Sequence, residues 1–248
     1  MTGNGGTANN GRIGTFVQGY DDLLGGGIPQ GSVVLLRGGT GTMKSSLAYY
    51  ILYENARRGR TGLYATVEQG AESFYAQMRT LGLEPESVTR ALPVLDLSRG
   101  REYLEKLRDQ STGSNGGNGG FAGVLQRKVE QLRQKHPFEL FAIDSWDALG
   151  HILEFEDRRS QTFDFFRWLR GLGITSFLVS ESWPDPSPGD FSEEFLADAI
   201  FSLKNERVSD LDFQRRVQCV KMRSSAHSPD FFTLVFENGR FEVAKAIA

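Results

Sequence analysis

The strongest chemical signal in the sequence is a run of small residues that ends in Lys44 and Ser45. The run begins at Gly38, directly after the apolar stretch 33–36, and a helix-like segment follows it. Small residues let successive backbone N–H groups turn toward an anion, and the N-terminus of the following helix adds a partial positive charge. This order of strand, glycine-rich turn and helix predicts a loop that grips the phosphates of a nucleotide.

The loop residues have distinct predicted roles. We expect Lys44 to contact the β- and γ-phosphates and the Ser45 hydroxyl to bind Mg²⁺. The residues expected to surround the phosphates are Gly38, Gly39, Thr40, Gly41, Thr42, Met43, Lys44, Ser45 and Ser46. Met43 stands where the usual spacing has glycine, so its side chain must point away from the phosphates. The alternative interpretation is a glycine-rich turn that binds nothing.

Three acidic residues, Glu68, Asp144 and Glu181, each follow a separate predicted strand. Because ligands of open α/β sheets bind at the carboxyl ends of the strands, we expect all three near the phosphate loop. Asp144 fits a Walker B aspartate that holds Mg²⁺, and Glu68 is the candidate catalytic base. Glu181 is predicted to sense the γ-phosphate indirectly. The structural alternatives are acids that cap helices or lie in solvated loops.

A second candidate site is basic. Lys221 and Arg223 alternate with Met222 at the end of a predicted strand, so both cations project from one face of that strand. Such a pair suits the binding of an anion. The alternative is an exposed basic face, which is common in sheets.

The elements that must position these residues alternate between strand and helix as far as Glu181. Strands are predicted at 32–37, 62–67, 92–97, 138–143 and 174–180. Helices are predicted at 44–58, 71–81, 101–110, 124–135 and 158–172. Further strands, joined by polar turns, are predicted at 199–204, 214–223, 231–237 and 241–243. The pattern indicates an α/β fold with a mainly parallel sheet flanked by helices and a C-terminal antiparallel extension.

Composition narrows the class of protein. Of the 248 residues, 39% are hydrophobic and 24% are charged, with a formal net charge of −3, which is ordinary for a soluble globular domain and favours no polyanionic partner. The single cysteine, Cys219, excludes an internal disulfide and is expected in the core. We see no signal peptide or membrane span and expect a cytoplasmic location without a membrane partner. Residues 1–12 are predicted to be a disordered tail, 13–248 one domain, and 111–120 a flexible Gly-rich loop.

Several blocks together resemble a known family. The sequence is similar to single-domain KaiC-like ATPases of the RecA superfamily, which are P-loop NTPases. The blocks that carry the resemblance are 19–31, the phosphate loop, 63–68, 142–145, 194–198 and 221–228.

The resemblance implies a RecA-like core that binds ATP and Mg²⁺ and assembles into homo-oligomeric rings, commonly hexameric, with nucleotide between neighbouring subunits. It implies that Lys221 and Arg223 reach the neighbour's γ-phosphate, and that Ser225 and His227 lie near the same nucleotide. The family commonly has paired glutamates where this sequence has Glu68 followed by glutamine. The expected activity is therefore a slow ATPase acting as a nucleotide-controlled oligomeric switch.

Two other functions remain open at this point. One is a DNA recombination or repair accessory ATPase of the RecA/RadA type, which needs a basic channel loop for single strands. The Gly-rich segment 111–120 contains no lysine or arginine, so a nucleic-acid partner is the less favoured hypothesis. The other is an ATP sensor that binds nucleotide without hydrolysing it.

Overall fold

A computed structural model of the protein describes residues 11–100, 102, 121–153, 158–181 and 193–246. The predicted helix 101–110, except residue 102, and the predicted loop 111–120 lie outside these residues and stay predictions. Of the predicted tail 1–12, only the last two residues are described, and here the prediction is wrong at Arg12. Strand β1 (Arg12–Ile13) pairs antiparallel with β2 (Ile28–Pro29), and the Arg12 guanidinium donates to the Gly27 carbonyl at 2.7 Å beside this pairing.

The predicted parallel sheet is confirmed. Its strands are β3 (Val33–Gly38), β4 (Gly62–Thr66), β5 (Val94–Asp96), β6 (Leu140–Asp144), β7 (Thr175–Glu181) and β8 (Ala199–Arg207). They pair in parallel in the order β8-β3-β7-β6-β4-β5. Their carboxyl ends therefore meet at one edge of the sheet, as the placement of the acidic residues requires.

The predicted antiparallel extension is also present. Strands β9 (Phe213–Met222), β10 (Phe231–Glu237) and β11 (Arg240–Lys245) continue the sheet beyond β8. All three junctions, from β8 to β11, are antiparallel, and the nine strands form one mixed sheet. The architecture is the RecA-like α/β fold.

The described residues include five α-helices. They are α1 (Lys44–Ala56), α2 (Ala71–Thr80), α3 (Phe121–Lys135), α4 (Trp146–Leu153) and α5 (Arg158–Gly171). Helix α4 is missing from the sequence prediction. Short 3₁₀ turns occupy Asp22–Leu24, Pro85–Val88 and Glu193–Phe195. Within the described ranges, no helix is long and apolar enough to cross a membrane.

Helix α1 is buried on nearly all sides, which fixes the loop that precedes it. One side packs into the apolar cluster on that face of the sheet. The N-terminal segment covers the other side, where Tyr50 donates to the Phe16 carbonyl at 3.1 Å and Asn55 to the Gly14 carbonyl at 2.9 Å. A second apolar cluster, which includes α3 to α5, fills the opposite face. Cys219 is buried in the first cluster, as predicted, and burial raises the pKa of its thiol to about 12.

Candidate nucleotide site

The glycine-rich loop joins the end of β3 to the start of α1. Gly38 is the last residue of β3, and a Cβ atom there would lie 2.3 Å from the Leu203 carbonyl oxygen of β8. No side chain fits in that space, so glycine is required by packing as well as by the loop. Thr42 closes the turn by donating its hydroxyl to the Gly39 carbonyl at 2.8 Å.

Met43 adopts the backbone conformation that glycine normally provides. Its φ is 69° and its ψ is 27°, in the left-handed region, directly before the first residue of α1. The side chain is partly buried and packs against the apolar cluster around α1, so it does point away from the loop's interior. Contacts of the thioether with the core therefore offset the steric cost of a positive φ, which is of order 1 kcal/mol.

Lys44 lies among the three predicted acids and one further acid. Its ammonium donates to the Gly39 carbonyl at 2.9 Å. Burial lowers the pKa of Lys44, while the carboxylates of Glu181, Asp144, Asp147 and Glu68 oppose that shift. The structure thus brings the loop lysine, Glu68, Asp144 and Glu181 together at one edge of the sheet.

The two predicted Mg²⁺ ligands are in contact. The Ser45 hydroxyl donates to Asp144 Oδ1 at 3.1 Å, and the Tyr64 hydroxyl donates to the other carboxylate oxygen, Oδ2, at 2.7 Å. Burial raises the pKa of Asp144, although these two hydrogen bonds act in the opposite direction. Burial and the Asp144 charge raise the pKa of Tyr64 well above its usual range, so the phenol is a donor here.

Glu68 and Glu181 flank this centre with exposed side chains. The Ser145 hydroxyl donates to Glu68 Oε1 at 2.8 Å and accepts from the Ala148 amide at 3.2 Å, so it also caps α4. Asp147 accepts a hydrogen bond from the Glu181 amide at 2.7 Å. Helix α4 therefore connects the ends of β4 and β7 at the edge where the loop lies.

The basic pair, Lys221 and Arg223, lies at the opposite edge of the sheet, beside the amino ends of β3 and β8. Met222 of β9, which lies between the two cations, pairs with Ala199 at the start of β8, and Ala199 pairs with Val34 of β3. The phosphate loop begins four residues further along β3, at Gly38, which pairs with Leu203 of β8. Four residues along a strand separate these positions by about 13 Å. Within one chain, Lys221 and Arg223 are thus remote from the phosphate loop.

Both cations contact the segment before β8. Lys221 donates to the Glu194 carbonyl at 2.9 Å, and Arg223 donates to Asp198 Oδ1 at 2.9 Å and to the Phe195 carbonyl at 3.2 Å. Burial and the neighbouring Arg223 charge lower the pKa of Lys221. The two side chains therefore share one side of the molecule, as their alternation along the strand predicts.

Ser225 and His227 belong to the same opposite edge. The Ser225 hydroxyl donates to the Leu24 carbonyl at 2.7 Å and accepts from Arg12 at 2.9 Å. His227 Nδ1 lies 3.5 Å from the Ser225 carbonyl oxygen. The structure does not bring these two residues to the phosphate loop of their own chain.

Comparison with known proteins decides the family. The family model for the KaiC ATPase matches residues 13–246, nearly the whole described chain. The chain belongs to the KaiC ATPase family. It is accordingly a KaiC-like, ATP-binding P-loop protein.

Individual relatives agree with this assignment. A UPF0273 protein of Aeropyrum pernix is 32% identical over 88% of this chain and 87% of its own length. A UPF0273 protein of Thermotoga maritima is 30% identical over 88% of this chain and 89% of its own length. The circadian clock protein KaiC3 of Synechocystis is 25% identical over 92% of this chain, which spans 44% of that protein. In fold, a solved KaiC-like protein from Pyrococcus horikoshii matches with a TM-score of 0.75 and 24% identity, over 94% of this chain and 98% of that one.

The residues of this KaiC-family chain fit a nucleotide with Mg²⁺. Within the described ranges, no group of three or more His, Cys, Asp or Glu side chains could hold a metal ion. Mg²⁺ does not need one, because it commonly takes one or two protein ligands together with phosphate oxygens and waters. The adjacent oxygens of Ser45 and Asp144, 3.1 Å apart, are such a donor set, and Lys44 provides the charge for phosphates.

Four residues of the KaiC-like site were missed or left without a role by the sequence analysis. They are Tyr64, Asp147, Asp198 and Arg215. Asp147 could have been found, since Trp146, Leu149 and Leu153 have helical spacing directly after a serine cap. Arg215 carries no local signal. Its Nε lies 3.4 Å from the Gly41 carbonyl oxygen because β9 pairs with β8 beside the loop.

Proposed function

We propose that this KaiC-like protein is a slow, Mg²⁺-dependent ATPase whose nucleotide lies between neighbouring copies and controls their assembly. One observation carries the proposal: Lys221 and Arg223 lie at the sheet edge opposite the phosphate loop. A cation about 13 Å away along the sheet cannot contact phosphates held by its own loop. A second copy, placed head to tail, can provide it.

The apolar surface beside the basic pair supports this arrangement. Phe195, whose carbonyl accepts from Arg223, is 76% exposed, and Val220 is 51% exposed. Exposed apolar side chains next to cations are typical of surfaces that bind another protein. Since the loop and the basic pair are different patches, the contact is heterologous and generates a ring if it closes.

The residues divide the chemistry between two copies. In one copy, Lys44 binds the β- and γ-phosphates, and Glu68 orients a water for attack on the γ-phosphorus and accepts its proton. The bond from the γ-phosphorus to the bridging oxygen breaks, and ADP leaves. Ser45 and Asp144 would hold Mg²⁺, which, when bound, neutralises charge on the β- and γ-oxygens. From the neighbouring copy, Arg223 and Lys221 stabilise the negative charge that develops on the transferred phosphoryl group. Ser225 and His227 follow the same strand and accompany these cations to the neighbour's nucleotide.

The residue after Glu68, where the family commonly has a second glutamate, is Gln69. Its side-chain amide donates to the Ser73 hydroxyl at 2.8 Å. Only one carboxylate is thus available at the end of β4 to activate water, which is the basis for slow turnover. Single-strand DNA binding is the less favoured alternative, because segment 111–120 contains no lysine or arginine for a basic channel loop. A cytoplasmic location remains part of the proposal.

The decisive test mixes two inactive variants. Arg223→Ala retains the loop and Glu68, and Glu68→Gln retains the cations. The two variants are co-expressed with different tags, and the mixed assembly is purified through both tags. A site is intact wherever the loop and Glu68 of an Arg223→Ala copy meet Arg223 of a neighbouring Glu68→Gln copy. Random assortment makes about one quarter of the interfaces intact. We expect phosphate release near that fraction of wild type.

Each alternative has its own outcome. Absence of restored activity in verified mixed assemblies would overturn the arrangement between copies. If wild type binds nucleotide but releases phosphate no faster than Lys44→Ala, the protein is a sensor that binds ATP without hydrolysing it. Size-exclusion profiles with and without ATP and Mg²⁺ test the control of assembly, and a salt-sensitive shift of single-stranded DNA would favour the repair function.

A further inference from the structure

A buried hydroxyl connects the two residues that would hold the metal. Tyr64 is fully buried in β4, and its hydroxyl donates to Asp144 Oδ2 at 2.7 Å. The same hydroxyl lies 3.4 Å from the Ser45 carbonyl oxygen. Asp144 Oδ1 accepts from the Ser45 hydroxyl at 3.1 Å. The two carboxylate oxygens of Asp144 therefore have separate partners on separate sides.

We propose that Tyr64 is a positioning residue for the metal-binding carboxylate of Asp144. By holding Oδ2, the phenol leaves Oδ1 directed at Ser45 and at the phosphate loop. A carboxylate rotates freely about its last side-chain bond, and a hydrogen bond from an outer partner fixes the oxygen that faces the metal. The inference rests on the proposed function, since Mg²⁺ is part of it.

Neighbouring rings hold the phenol in place. The Tyr64 ring stacks on Phe74 with centroids 4.7 Å apart and meets Tyr49 edge-on at 5.5 Å. All three rings are almost completely buried. A donor fixed in this way loses little conformational entropy when the metal site forms.

Burial alone does not account for the contact with Asp144. Tyr49 belongs to the same ring cluster, is equally buried, and its hydroxyl has no hydrogen-bond partner among the described residues. The cluster therefore tolerates a tyrosine whose hydroxyl is unpaired. This makes Tyr49 a matched control, because Tyr49→Phe removes a hydroxyl from the same environment without touching Asp144.

The test compares full-length wild type, Tyr64→Phe and Tyr49→Phe. Calorimetry measures ATP affinity in EDTA, and Mn²⁺ titration followed by electron paramagnetic resonance measures metal affinity of the ADP complex. We expect Tyr64→Phe to weaken metal binding by about tenfold, as is usual when an outer partner of a metal ligand is lost. Its metal-free ATP affinity should equal that of wild type. Tyr49→Phe should leave both quantities unchanged.

A double-mutant cycle separates positioning from a general disturbance. In an Asp144→Asn background, Tyr64→Phe should have no further effect on metal affinity. The inference would be overturned if Tyr64→Phe weakened metal binding as much in the Asp144→Asn background as in wild type. It would also be overturned if the two tyrosine variants had equal metal affinities, or if Tyr64→Phe alone lost the fold. If nucleotide binding by wild type does not depend on metal at all, the metal role in the proposed function fails first. If nucleotide binding depends on metal, and both tyrosine variants bind metal as tightly as wild type, only the role of Tyr64 is excluded.

Discussion

Arg223 donates to Asp198 Oδ1 at 2.9 Å, and Oδ2 of the same carboxylate accepts from the Val33 amide at 3.0 Å. Asp198 thus connects Arg223, the exposed member of the basic pair, to Val33, the first residue of β3. The last residue of β3 is Gly38, where the phosphate loop begins. The cation proposed for the neighbour's nucleotide and the loop that holds the chain's own nucleotide are therefore connected by a single strand.

Asp198 should make stability sensitive to acid. Burial would raise the pKa of Asp198, but hydrogen bonds from the Val33 amide, Arg170 and Arg223 outweigh it and lower the pKa. A carboxyl with a depressed pKa stabilises the fold at pH values above its unfolded value of about 4, and that contribution is lost as pH falls through the folded value. We expect Asp198→Asn to lower the free energy of unfolding by about 1–3 kcal/mol at neutral pH.

Urea denaturation across the acid range checks this prediction. The difference between wild type and Asp198→Asn should shrink as pH falls from about 4, where the carboxyl of the unfolded chain takes up a proton, through the lower pKa of the folded chain. Asp210→Asn is the control, because the Asp210 side chain is 99% exposed and should contribute little. A difference that stays constant down to full protonation would contradict the assignment.

Glu68 should be needed for turnover and not for binding. Glu68→Gln keeps the shape and the contact with Ser145 but removes the base, so we expect phosphate release to fall by about 100-fold or more. ATP affinity, measured by calorimetry, should stay close to wild type. Glu72→Gln, an exposed glutamate in the first turn of α2, is the matched control and should retain activity. Equal turnover in the two variants would exclude Glu68 as the base.

Gly38 and Gly39 should respond very differently to alanine. A Cβ at Gly38 would lie 2.3 Å from the backbone oxygen of Leu203, whereas a Cβ at Gly39 would meet nothing within 4 Å. Backbone cannot yield as a flexible side chain can, so Gly38→Ala should cost about 1–3 kcal/mol or more in stability. Chemical denaturation without nucleotide measures both variants. Similar stability of the two would show that β3 and β8 separate easily.

Met43 allows backbone strain to be separated from packing. Met43→Ala and Met43→Gly both remove the thioether contacts, but only glycine relieves the positive φ of 69°. We therefore expect the Gly variant to be more stable than the Ala variant by about 1 kcal/mol. Thermal and urea unfolding give this difference directly. An Ala variant as stable as the Gly variant would mean that the left-handed conformation carries no cost here.

Much of the fold could be predicted because its signals are local. Strand β6 and its terminal Asp144 follow from one apolar run that ends in an acid. Helix α1 and its lysine follow from the glycine-rich turn. Helix α4 was missed because it is short and begins directly after Asp144 and Ser145, where the strand signal dominates. Strand β1 was missed because Arg12 is held by contacts from residues distant in sequence.

The sequence by itself determined the chemistry that is available: a phosphate loop with Lys44 and Ser45, carboxylates at strand ends, and a basic pair on one strand. These are properties of adjacent residues and of strand and helix periodicity, which a chain specifies locally. Only the tertiary structure decided how they combine. Strand order and register set Tyr64 against Asp144 and carry Arg223 to the end of the sheet opposite the phosphate loop. Those relationships depend on pairings between distant segments, which local sequence does not encode.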